Sequence, residues 1–63
     1  MIDLNLKEVD YKIVEKLSCY YIVEILNGLH KGLYILRSEY SDTPLFSSSC
    51  YDEVYAKFLL MLS

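Results

Sequence analysis

Three side chains offer obvious chemistry in this chain: Cys19, His30 and Cys50. Cys50 falls where a C-terminal helix is expected to begin, and a helix N-terminus lowers a thiol pKa towards a reactive thiolate. Asp52 and Glu53 oppose that effect, and no His, Asn or Gln is placed by the sequence to activate the sulfur. A thiol-dependent redox protein is therefore an alternative reading, not the leading one. Cys19 precedes a run of aromatic and β-branched residues and reads as a small buried hydrophobe. His30 sits in a turn, where a histidine is expected to be solvated. The two cysteines lie 11 and 20 residues from it, which fits no zinc spacing, so no metal and no cofactor are expected. Met1 is followed directly by "IDLNLKEVD", which is not a signal peptide. The expectation is a reducing, cytoplasmic setting with both thiols free, a Cys19–Cys50 bridge needing oxidation.

No pair of titratable groups is placed for acid–base work, so an enzyme is not expected. Two acid–aromatic clusters remain, "YDEVY" at 51–55 and "EYSD" at 39–42. Tyrosine supplies rigid contact area with a polar tip, which suits protein interfaces, and acids beside it speed encounter with a basic surface. For the helix, the expectation is that Tyr51 and Tyr55 are core and that Asp52 and Glu53 stabilise the helix start. Tyr40 and Asp42 are the better interface candidates.

The elements that must position these residues follow from periodicity. With 63 residues the chain is one domain, 1–63, and 54% apolar content with seven Tyr and two Phe argues against disorder. Residues 6–17 place Leu6, Val9, Ile13 and Leu17 at helical spacing, with Asn5 and Glu8 as a capping box, and predict an amphipathic helix after an extended lead-in at 2–4. Residues 19–26 and 33–39 read as strands flanking Asn27-Gly28, a hairpin cue. "SDTP" at 41–44 then turns the chain, and 45–47 adds a short third strand. From an N-cap at Ser49, Tyr51, Val54, Tyr55, Phe58 and Leu62 predict a second helix over 50–62.

The sum is a small α+β domain, αβββα, with an antiparallel hairpin-based sheet packed by an N-terminal and a C-terminal amphipathic helix. That order is similar to the double-stranded-RNA-binding fold. The family grips phosphates with a glycine-preceded, lysine-rich helix start, whereas the corresponding stretch here is "SSSCYDEVYAK", acidic and without glycine. RNA binding does not carry over. Net charge −3, with six scattered basic residues, also argues against a nucleic-acid partner. The longest apolar run, Phe58–Leu62, is too short to span a membrane.

A hairpin loop of even length puts Tyr21, Val23, Ile25, Tyr34, Leu36 and Tyr40 on one face. The other face then holds Tyr20, Ile22, Leu26, Leu33 and Ile35 with Glu24, Lys31, Arg37 and Glu39; an odd loop shuffles these sets. One helix on each face would close a three-layer monomer; if both helices cover the first face, five large side chains stay bare. Burying them is worth at most about 7–15 kcal/mol, as much as a typical domain's whole stability of about 5–15 kcal/mol. A bare patch of that kind marks a contact with another chain. The expected interface is Tyr20, Ile22, Leu26, Leu33, Ile35, Arg37, Tyr40, Asp42 and Leu60. The expected partners are a second copy and a larger protein, with the chain acting as inhibitor or adaptor. Size and acidity resemble the small accessory proteins that phages direct against host defence enzymes, which implies the host cytoplasm. A dimer sequestering a small aromatic or nucleotide-like ligand between Tyr20, Tyr34, Tyr40 and Arg37 is the other alternative.

Overall fold

The computed structural model describes residues 10–63 and holds four strands followed by one helix. Strand β1 spans Tyr11–Leu17, β2 Tyr20–Ile25, β3 Tyr34–Ser38 and β4 Ser41–Ser48, and helix α1 spans Tyr51–Leu62. The strands form one antiparallel sheet in chain order, so each joins the next as a hairpin. The α+β class and the C-terminal helix agree with the sequence reading. The first helix does not: residues 11–17 are a strand, and the earlier part of that expected helix, with the lead-in at 2–4, lies outside the described residues.

The stretch "YKIVEKL" satisfies two periods at once. Ile13 and Leu17 suit a helix, while Tyr11, Ile13 and Val14 are good strand formers. Long-range pairing decides between them, because β2 has an edge of backbone donors and acceptors that only β1 satisfies. The ladder shifts by one residue between Ile13 and Glu15. At this bulge Val14 packs on the helix side of the sheet and Glu15 reaches the same side. The third expected strand is also longer than 45–47. The chain reverses at Glu39-Tyr40, and Asp42, Thr43 and Pro44 belong to β4. A proline is tolerated there because β4 is an edge strand.

The β2–β3 register divides the apolar residues differently from the even-loop expectation. Glu24 pairs with Tyr34, so an odd number of residues, 25–33, lies between them. Ile22 therefore stands opposite Leu36, and Val23 opposite Ile35. The first pair faces α1 and forms a core with Val54 and Phe58, against which Val14, Tyr20, Tyr34, Phe46, Tyr51 and Leu62 pack. The second pair faces away with Ile25, flanked by Tyr21 and Leu33. Val23, Ile25 and Ile35 are nonetheless 0% exposed within the single chain. The wide bare patch expected on that face is thus not found, although the described elements place no helix there.

The connections explain the odd parity. Gly32 adopts φ +89°, a conformation that suits glycine, and its N–H donates to Ile25 O while Ile25 N–H donates to Leu33 O. Asn27 has a task beyond the turn. Its side chain accepts from Asp10 N–H at 3.0 Å and donates to the Asp10 carboxylate at 2.8 Å, tying the loop to the start of β1. At the opposite end, Ser18 occupies the left-handed region at φ +59° in the tight β1–β2 turn. Glu39 N–H donates to Cys19 O, and Lys16 Nζ meets Glu39 at 2.6 Å, so the two short turns are joined.

Two stability outcomes follow. Phe58→Ala removes the ring that joins α1 to the sheet and is expected to cost about 3–5 kcal/mol. A domain of this size has only about 3–9 kcal/mol in hand. Urea titration followed by circular dichroism should show most or all of the folded baseline gone. Ser18→Gly relieves a left-handed side-chain clash and should raise stability, by up to about 1 kcal/mol after glycine's extra chain entropy. A lowered urea midpoint would contradict that account of the turn.

Candidate functional site

The side chains with chemical potential are dispersed. Cys50 is exposed and is the N-cap residue of α1, one position before the expected first turn. The cap expected from Ser49 is not found: Cys50 holds the N-cap position with no side-chain cap hydrogen bond, and Ser48 is engaged just before it. The Ser48 Oγ accepts from Cys50 N–H at 3.1 Å and donates to Glu53 at 2.8 Å. Cys19, half-buried, lies in the β1–β2 turn, and both cysteines are free thiols. His30 lies in the β2–β3 loop, where its carbonyl accepts from Leu33 N–H. Among the described residues no group of three metal-ligating side chains occurs and no pocket is present. Among them, too, no helix is long and apolar enough to cross a membrane.

The expected interface residues are spread over the molecule. Tyr20 and Ile22 lie under α1, Ile22 fully buried. Leu33, Ile35 and Arg37 belong to the other face, and Ile35 is fully buried. Arg37 donates to Asp42 O at 3.0 Å, while its buried Nε has no partner among the described residues. Leu26 is exposed in the β2–β3 loop, and Asp42 is exposed near the start of β4. Tyr40, at the tip of the β3–β4 turn, is 86% exposed, and Leu60, on the outer side of α1, is 65% exposed. Of the nine, Leu26, Tyr40, Asp42 and Leu60 are exposed.

A feature that sequence reasoning missed lies where α1 meets β1. Tyr51 stacks edge-on against Tyr34 at 5.2 Å and nearly parallel to Tyr55 at 5.7 Å. Its hydroxyl donates to Glu15 at 3.3 Å. Burial, then the neighbouring Glu15 carboxylate, holds the Tyr51 phenol above its usual pKa, so at neutral pH it is a hydrogen-bond donor. The helix otherwise packs on β2, β3 and β4 and not on β1. Comparison with protein families, with curated proteins and with solved structures finds no match. The reading of function therefore rests on the surface itself.

On that surface, the helix stripe facing the sheet is completed by Val54, Phe58 and Leu62, yet Leu59, Leu60 and Met61 are also exposed. No charge follows Lys57 in α1, and Lys57 itself lies over the Phe46 ring at 5.5 Å, on the β4 side. The end of the helix, Phe58–Leu62, is thus apolar all round. A helix that serves only to cover one sheet face needs a single apolar stripe.

The Tyr51–Glu15 contact has a pH signature. A raised folded-state pKa contributes stability that is complete below the phenol's unfolded value, near pH 10, and is lost as pH rises through the folded value. Tyr51→Phe should cost about 1 kcal/mol at neutral pH. Its deficit relative to wild type should hold steady up to about pH 9 and shrink as the pH rises above about 10. Parallel urea titrations check this, and a constant deficit would remove the ionisation argument.

Proposed function

We propose that this chain is a non-enzymatic protein-interaction module that works by docking, on a second copy of itself and on a larger protein, as an inhibitor or adaptor. The observation that carries the reading is the second apolar stripe of α1, in which Leu59 and Leu60 are 49% and 65% exposed although the sheet-facing stripe is already satisfied. Exposed apolar side chains are common singly. Here they are adjacent and share the end of one helix with Met61. The net charge of −3 favours a basic target surface. A small acidic inhibitor, of the kind phages direct at host defence enzymes, is the setting that this size and charge suit.

Self-association is the first thing to measure. Gel filtration with light scattering should give a mass above that of the monomer at high concentration. Leu60→Glu should return the monomer while leaving the helical circular dichroism signal intact, because the side chain is at the surface. Wild-type protein that stays monomeric at every concentration would overturn the self-association half of the proposal.

A further inference from the structure

The helix and the sheet do not match in width. Four strands at about 4.8 Å spacing measure about 14 Å between outer strand axes, and one helix covers about 10 Å of that. Because α1 lies over β2, β3 and β4, no described element packs on the helix side of β1. Lys57 over Phe46 fixes the β4 flank of α1. Tyr55 and Leu59 are each two residues from Lys57, about 200° around the helix, and so line the β1 flank. The stacking of Tyr55 on Tyr51, whose hydroxyl reaches Glu15 of β1, agrees with that placement. The result is a shallow groove, walled on one side only and too open to form a pocket, with Val14 and Leu17 as floor and Tyr55 and Leu59 as wall, in which Leu17 is 59% exposed.

The two ends of this groove differ in charge. Among the described residues, the end nearer Leu17 is lined by Leu17 and Leu59. Among them, too, the end nearer the start of α1 holds Glu15, Glu24 and Asp52 with the cation Lys12, which pairs with Glu24 at 3.4 Å. Lys16 is on the other face and engaged with Glu39, and Glu53 is engaged with Ser48 on the β4 side. A second copy's α1 is a poor occupant for this site. Its own first turn is acidic, and its last turn has no basic residue to present to the carboxylates.

We propose that the groove between β1 and α1 is a docking site for an amphipathic helix of a partner protein that carries lysine or arginine at the end meeting Glu15 and Asp52. This deepens the interaction reading above and rests on it. The occupant lies beside α1 at a usual helix–helix distance of about 8–10 Å, with its apolar stripe on Val14, Leu17 and Leu59. Carboxylates at one end set its direction, and they give binding a salt dependence that the apolar end lacks.

The test uses the full chain, labelled with nitrogen-15, and a panel of synthetic amphipathic peptides of about four helical turns. Each peptide carries one leucine stripe and, at one end, either a lysine pair or a glutamate pair. The lysine peptides should shift the amide signals of Val14, Leu17, Tyr55 and Leu59. They should bind at least about tenfold more tightly than the glutamate peptides, and weaken as salt rises from about 0.05 M to about 0.5 M. Leu59→Glu should abolish the shifts, and Glu15→Gln with Asp52→Asn should erase the preference for lysine. Both variants are to be checked for a wild-type spectrum first. Should either misfold, the peptide comparison on wild-type protein decides alone. Equal binding of both peptide classes, no binding, or shifts confined to other surfaces would overturn the proposal. Self-association that maps to Leu60 and Met61 while the groove signals stay still would sink the groove and leave the interaction reading standing.

Discussion

The pairing of Glu24 with Tyr34 governs the rest of this structure. It fixes the β2–β3 register, and a strand's side chains alternate, so a slip of one residue would exchange every inward and outward position. With this register Ile22 and Leu36 meet on one face and Val23 and Ile35 on the other. Both faces of the central hairpin are then apolar and buried, and the four fully enclosed β-branched or leucine residues sit at its middle. The edge strands are consequences. β1 and β4 complete the backbone hydrogen bonding of a hairpin that could not be left with bare edges, and α1 settles on the face that offers Ile22 and Leu36.

What the sequence revealed of this, and what it hid, has a physical pattern. The C-terminal helix was legible because Tyr51, Val54, Tyr55, Phe58 and Leu62 carry one period and nothing competes with it. The central strands were legible from their β-branched and aromatic content. Tyr11–Leu17 was not, because its residues fit a helical face as well as a strand and the deciding interaction is with β2, a partner outside the segment. The loop parity was hidden for a related reason. Asn27-Gly28 reads as a tight turn, but Asn27 is engaged by Asp10 and the chain closes at Gly32 instead.

The site was less legible than the fold. Leu60 was recognisable as a leucine on the charged side of a helical wheel, and it is exposed. The groove was not recognisable, since it depends on where α1 sits across the sheet, a quantity set by Phe58 and Val54 fitting between Ile22 and Leu36. Nor does any local signal announce the Tyr51–Glu15 contact, which joins residues 36 apart in sequence. The reading that placed Ile22 and Ile35 together on a free face failed on parity alone, for the two are enclosed on opposite sides.

The way the edges are finished bears on how such a protein would bind. An open strand edge invites another chain to add a strand, and lysines, bulges and proline discourage it. Here β1 carries Lys12 and Lys16 and is interrupted by the bulge at Val14, while β4 carries Asp42 and Pro44. Both edges are therefore poor templates for strand addition. Part of the exposed apolar surface lies on α1, at Tyr55 and Leu59 to Met61, and at Leu17 on the helix side of β1, while Leu29 and Tyr40 are exposed at the loop and turn tips. On the docking reading proposed above, recognition at the α1 and β1 surface would rest on side-chain packing, for which a helix supplies a stripe of the right width and a strand does not. The same chemistry that keeps the sheet from growing would then favour a partner that presents a helix face.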